Sequence, residues 1–111
     1  MSREIKFRAW DNECKVIMEY DELKGLTLDA LYASYFELDQ FTGLKDKNGK
    51  EIYEGDVLEN PKYRSVVKFG SGSFYADVIG AVNRFSLAGE WQTSVVIGNA
   101  HSNPELLEAA K

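Results

Sequence analysis

The chain has 111 residues and a formal charge of −5. That length suits one hydrophobic core, and the charge disfavours non-specific binding to a phosphate backbone, which relies on clustered Lys and Arg. Apolar residues make up 44% of the chain and aromatic ones 13%, enough for a packed core and too much for extensive disorder.

The opening Met1-Ser2-Arg3-Glu4-Ile5-Lys6 carries an acid and lacks the apolar stretch of a signal peptide. No apolar run approaches the roughly 20 residues that span a bilayer. One cytoplasmic domain over residues 1–111, with no membrane association, is the expectation. Ile5 to Trp10 alternates with period two, which places Ile5, Phe7 and Ala9 on one face. Asp11-Asn12-Glu13 is turn material and Lys15 to Tyr20 reads as a second strand, so residues 4–20 form a hairpin. Between residues 21 and 34, Leu23, Leu26, Leu28 and Leu31 fit either an amphipathic helical turn or irregular extended pieces. Tyr35 to Phe41 is the next strand and should end at Thr42-Gly43.

Asn48-Gly49 suits a tight primed hairpin turn, which demands positive φ at both positions. At the Glu54-Gly55-Asp56 corner, Gly55 supplies a conformation that strains other residues, and the Asp56 carboxylate can accept nearby backbone N–H groups. Val66 to Phe69 and Phe74 to Ile79 flank Gly70-Ser71-Gly72-Ser73, read as two strands joined by a flexible loop. Asn83 to Leu87 and Thr93 to Ile97 are further short strands. Short strands broken by Gly and polar turns indicate a mainly β, β-rich α+β domain built as a small sandwich or barrel. A short C-terminal helix completes it, with Asn103 as cap, Pro104 at its first position, Glu105 at the positive dipole end, and Leu106 and Leu107 as anchors.

The residues that carry chemistry are sparse. Cys14, the lone cysteine, cannot form an intramolecular disulfide and lies far in sequence from His101, the lone histidine. Asp46-Lys47-Asn48-Gly49-Lys50-Glu51 resembles the start of a calcium loop. Lys50, Glu51 and Val57 stand where a third oxygen ligand, a glycine and a closing glutamate are required. Gly70-Ser71-Gly72-Ser73 lacks the Gly-Lys-Ser/Thr and helix of a phosphate loop. His101 beside Ser102 reads as a loop residue in capping or solvent contact. The carboxylate pairs Glu51/Glu54 and Asp56/Glu59 read as solvated strand-edge charge. No catalytic residue, metal site or cofactor is expected. Among the aromatics, Trp10, Tyr53, Tyr63 and Tyr75 offer stacking platforms.

Three segments carry a family resemblance. They are Arg3 to Asp11, the central Phe41-Thr42-Gly43-Leu44-Lys45-Asp46-Lys47-Asn48-Gly49-Lys50-Glu51-Ile52-Tyr53-Glu54-Gly55-Asp56-Val57, and Val96 to Asn99 followed by Asn103 to Leu107. In order and spacing they resemble the YopX family of phage and prophage proteins, nearly end to end. The resemblance implies coiled β sheets with an SH3-like barrel portion starting near Glu54-Gly55-Asp56, and no assigned catalytic activity.

The reading that follows is a non-enzymatic module that binds a host or phage protein in the host cytoplasm. Its site would be surface aromatics, with Trp10, Tyr53 and Trp91 as candidates. The alternative is a nucleic-acid-associated small barrel using Lys45, Lys47, Lys50, Lys62 and Arg64. Association into homo-oligomers would suit a small β domain with exposed edges.

Overall fold

The computed structural model describes residues 6–23, 36–89 and 92–108. The protein is mainly β, with two antiparallel sheets, the second of them a half-barrel, and a 3₁₀ turn near the C-terminus. The first sheet has the order β2-β1-β3-β4, from β1 (Phe7–Asp11), β2 (Val16–Met18), β3 (Phe36–Lys45) and β4 (Glu51–Tyr53). The second has the order β8-β7-β6-β5-β9, from β5 (Asp56–Glu59), β6 (Arg64–Gly70), β7 (Ser73–Val78), β8 (Arg84–Ser86) and β9 (Val95–Asn99). A helical turn, α1 (Tyr20–Leu23), follows β2, and 3₁₀ turns occupy Leu87–Gly89 and Pro104–Leu107. No helix among the described residues is long and apolar enough to cross a membrane.

The N-terminal hairpin forms as expected, with Trp10 opposite Ile17. Its turn closes where Lys15 adopts φ 59° and Asp11 Oδ1 accepts the N–H groups of Glu13 and Cys14. β1 is buried on both faces, since Arg8, Ala9, Trp10 and Asp11 are all buried. β1 lies between β2 and β3, so Phe7 packs edge-on against Tyr20 while Arg8 and Trp10 meet the second sheet. Ile5 and the leucines at 26, 28 and 31 lie outside the described residues.

β3 runs through Thr42-Gly43 instead of ending there. Its pairing with β4 shifts register between Phe41 and Lys45, where Gly43 takes φ 86°. The Thr42 hydroxyl donates to the Ile52 carbonyl at 2.7 Å and accepts the Leu44 N–H at 3.1 Å. A bulge survives because a side chain satisfies the backbone groups it leaves unpaired.

Two hairpin expectations are also corrected. At Asn48-Gly49 only Gly49 has positive φ, at 87°. Its N–H donates to the Asp46 carbonyl at 2.9 Å, and the Asp46 N–H donates to the Lys50 carbonyl at 2.7 Å. This is a turn followed by a left-handed glycine, the three-residue alternative to the primed turn. The primed turn occurs between β6 and β7, where Ser71 and Gly72 have φ 52° and 82°. Gly70 pairs with Ser73 across that turn, so the expected flexible loop is a tight two-residue hairpin.

Ile52, Leu58, Val67 and Leu87 form the core, with Leu44, Phe74 and Val96 packed against it. These residues come from both sheets, so the core is shared. At the C-terminus Asn103 makes no side-chain cap. Its Oδ1 accepts the Asn99 N–H instead, at 3.2 Å, and Leu107 stays 39% exposed.

Candidate functional site

Four ionisable side chains meet where the two sheets join. Arg8 on β1 donates through Nη2 to Asp56 Oδ1 at 2.7 Å, and its Nε lies 3.4 Å from Asp39 Oδ2. The same Nη2 reaches the Glu54 carbonyl at 3.5 Å, and the guanidinium covers the Tyr53 ring at 4.8 Å. His101, just beyond β9, brings Nε2 to 3.2 Å from Asp39 Oδ2 and stacks on Trp10 at 5.4 Å and 12°. Burial pushes the Asp39 carboxyl above its usual range, with His101 and Arg8 opposing. It does the same to Asp56, where Arg8 and the Tyr53 N–H oppose. Such a cluster fixes how the sheets dock more than it stabilises them, since desolvation offsets the attraction.

Two of the aromatic candidates lie in this junction. Trp10 is 7% exposed and Tyr53 4% exposed, so neither is the surface aromatic the sequence reading made it. The Trp10 ring stacks on His101 and the Arg8 guanidinium lies over the Tyr53 ring, so one face of each ring is already occupied. Trp91 lies outside the described residues. A small cavity of about 260 Å³ opens beside Arg8 and Tyr53, and Glu19, Lys50, Glu51 and Asn99 line it too.

Asp46 has a structural role instead of the calcium one its loop suggests. Its Oδ1 accepts the N–H groups of Asn48 and Lys50 at 2.8 and 2.9 Å, and Oδ2 that of Val96 at 2.9 Å. Burial disfavours its charge, but the N–H groups of Val96, Lys50 and Asn48 outweigh burial and hold the carboxyl below its usual range. The carboxylate ties the β3–β4 hairpin to β9.

Accessible aromatic surface lies at the opposite end of the half-barrel. The turn between β5 and β6 is closed by Asn60, whose Oδ1 accepts the N–H groups of Lys62 and Tyr63 at 2.8 and 3.1 Å. This Asx turn sets the Tyr63 ring against Phe85 of β8, stacked at 5.6 Å and 17°. Phe85 is 40% exposed. Asn60, Pro61, Lys62, Tyr63, Phe85 and Thr93 enclose a cavity of about 470 Å³. A second, of about 440 Å³, adjoins it across the turn and reaches Glu59, Arg64, Ile79 and Glu108. Tyr63 is one of the stacking platforms expected from the sequence, and Phe85 is not. No local spacing links the two, because they meet only after the sheet curls.

The remaining candidates disperse. Glu51 pairs with Lys6 at 2.6 Å and Glu59 with Arg64 at 3.0 Å, whereas Asp56 is buried and is not the solvated strand-edge carboxylate expected of it. Cys14 is exposed, and Asp11 beside it pushes the thiol up, away from the reactive thiolate.

The family model described as YopX protein matches residues 24–108. The chain belongs to the YopX family. Among solved structures, this YopX-family chain is similar to protein EF1440 from Enterococcus faecalis, at 28% identity and a TM-score of 0.69, covering 96% of this chain and 100% of that one. It is also similar in fold to yopX from Bacillus subtilis, at 23% identity and a TM-score of 0.58, covering 96% of this chain and 98% of that one. No curated protein matches the chain.

Proposed function

We propose that this YopX-family domain is a non-enzymatic protein-binding module that holds an extended segment of a partner polypeptide against Tyr63 and Phe85. The stacked, partly exposed ring pair beside the cavity of about 470 Å³ carries this reading. Apolar clefts with a few convergent polar groups are the usual form of a binding site, and aromatic anchors dominate binding energy. The strand order of the half-barrel supports an SH3-like assignment: β5 to β8 form a meander, a 3₁₀ turn follows β8, and β9 returns beside β5. The partner would be a host or phage protein in the bacterial cytoplasm.

The nucleic-acid reading has one observation in its favour, since Lys62 lines the same cavity as the rings. A base could stack there. In the adjoining cavity Arg64 is paired with Glu59 and Glu108 adds negative charge, and these with the net charge of −5 oppose it.

The test is affinity purification from nuclease-treated host lysate with the wild-type chain and a Phe85→Ser variant of unchanged thermal stability. A protein retained by the wild type and lost from the variant supports the module, and peptides from that protein should then bind the purified domain. Equal retention by both chains excludes the ring pair. Association that disappears with the nuclease favours nucleic acid.

A further inference from the structure

The segment after β9, residues 100–108, behaves as a strap held at three places. At its start, Asn99 Oδ1 accepts the N–H groups of His101 and Ser102 at 3.0 and 2.8 Å, and the Ala100 N–H donates to the Gly55 carbonyl at 2.8 Å. Its middle lies so close to β9 that a Cβ added at Gly98 would fall 2.5 Å from Asn103 Oδ1 and 2.7 Å from Leu106 Cδ1. The third hold is ionisable. It is the His101 imidazole, between Asp39 and the face of Trp10.

The groups that act on that imidazole come from each element packed around it. Asp39 on β3 contacts it directly, and Arg8 on β1 and Asp56 on β5 reach it through Asp39. Glu54 contributes its carbonyl to Arg8 and a side-chain oxygen to the Gln40 N–H, and Lys50 acts on Asp56 from the β3–β4 hairpin. With both carboxylates ionised, Arg8 leaves an excess negative charge in this buried junction. A protonated imidazole balances it, and a neutral one does not. Buried charge without a counter-charge is costly.

We propose that His101 is a proton-operated latch, which when protonated fastens residues 100–108 to the first sheet and when neutral loosens that hold. Histidine is the side chain suited to such a change between about pH 5 and 8. Residue Glu108, at the end of the strap, lines the cavity beside Pro61 and Tyr63. The latch therefore sets one wall of the cavity that adjoins the proposed groove across the β5–β6 turn. Only this last consequence rests on the peptide-binding reading.

Amide hydrogen exchange on the full chain tests the latch, with rates at about pH 5 and about pH 8 each referred to the intrinsic rate of the amide. Protection of Asn103 and Leu106, whose N–H groups donate to the Asn99 and Asn103 carbonyls, should be greater at the acid pH. The expected factor is about fivefold or more, an ordinary coupling between linked sites. The His101→Gln variant keeps a side-chain donor but cannot gain a charge, so its protection should lose this pH response while β6 and β7 stay equally protected. Asp39→Asn, which removes the counter-charge, should weaken the response as well. Equal protection at both pH values in the wild type would overturn the latch. So would an undiminished pH response in His101→Gln. No peptide is present in this experiment, so its outcome is separate from whether the groove binds one.

Discussion

Arg8 Nη2 lies 2.7 Å from Asp56 Oδ1, so the first strand of one sheet grips the first strand of the other through a buried ion pair. The other Asp56 oxygen accepts the Tyr53 N–H at 2.8 Å. One carboxylate thus fixes the Glu54-Gly55 corner and the docking of the two sheets together.

Replacing Arg8 by Met should leave Asp39 and Asp56 facing each other without their cation. The expected loss is about 3–5 kcal/mol, the usual result of removing one partner from a buried pair. Urea denaturation reads it as a lower midpoint at unchanged slope. The double variant Arg8→Met, Asp56→Asn should recover part of the loss. A single-variant loss below about 1 kcal/mol would show that the junction relaxes instead.

Asp46→Asn removes the charge that accepts three backbone N–H groups. At neutral pH the loss should be about 1.5–3 kcal/mol, as for a hydrogen bond to a charged group. The unfolded carboxyl protonates near 3.8 and the folded one below that. The stabilisation is therefore complete above 3.8 and disappears as pH falls through the folded value. The gap between wild type and variant should close over that acid window in a series of denaturation curves.

Asp39 and Asp56 act with the opposite sign, because burial raises both above 3.8 in the folded state. The folded chain holds those protons more tightly, so their contribution is greatest below 3.8 and is lost as pH rises through the folded values. Asp39→Asn should flatten that part of the wild-type stability profile. An unchanged profile in the variant would remove Asp39 as its source.

Gly49 and Gly55 both have strongly positive φ, at 87° and 88°. Alanine at either should cost about 1–2 kcal/mol for the left-handed backbone alone. At Gly55 the new Cβ also meets Asp39 Oδ2 at 3.4 Å, whereas at Gly49 nothing lies within 4 Å. Because 3.4 Å is an ordinary contact, Gly55→Ala and Gly49→Ala should lower the thermal midpoint by similar amounts. Gly49→Asn should recover much of the loss at that position, since asparagine tolerates this region.

Leu58 and Phe85 separate core from surface. Leu58 is fully buried in the shared core, so Leu58→Ala should cost about 2–5 kcal/mol. Phe85, at 40% exposure, should tolerate serine at less than about 1 kcal/mol of stability. Thermal melts of the two variants side by side make the comparison.

Much of the fold was legible because it depends on local chemistry. The hairpin of β1 and β2, the Gly55 corner, the Asp56 carboxylate accepting a backbone N–H, and the strands around residues 66–69 and 74–79 all follow from turn residues and alternation. Two of the errors fall where a side chain satisfies a backbone group outside its own element. Thr42-Gly43 reads as a strand end, yet the Ile52 carbonyl on β4 accepts the Thr42 hydroxyl and lets β3 continue. Asn103 reads as a cap, yet its side-chain Oδ1 accepts the Asn99 N–H.

By itself, then, the sequence determined a mainly β fold and many of the places where its chain turns, because glycine, asparagine and alternating side chains act over a few residues. Only the tertiary structure decided which aromatics are exposed. Trp10 and Tyr53 are buried where the two sheets meet, with His101 stacked on the one and Arg8 over the other. Tyr63 and Phe85 are brought together at the rim by the curl of the half-barrel. Burial and juxtaposition are properties of strands far apart in the chain, and no local pattern encodes them.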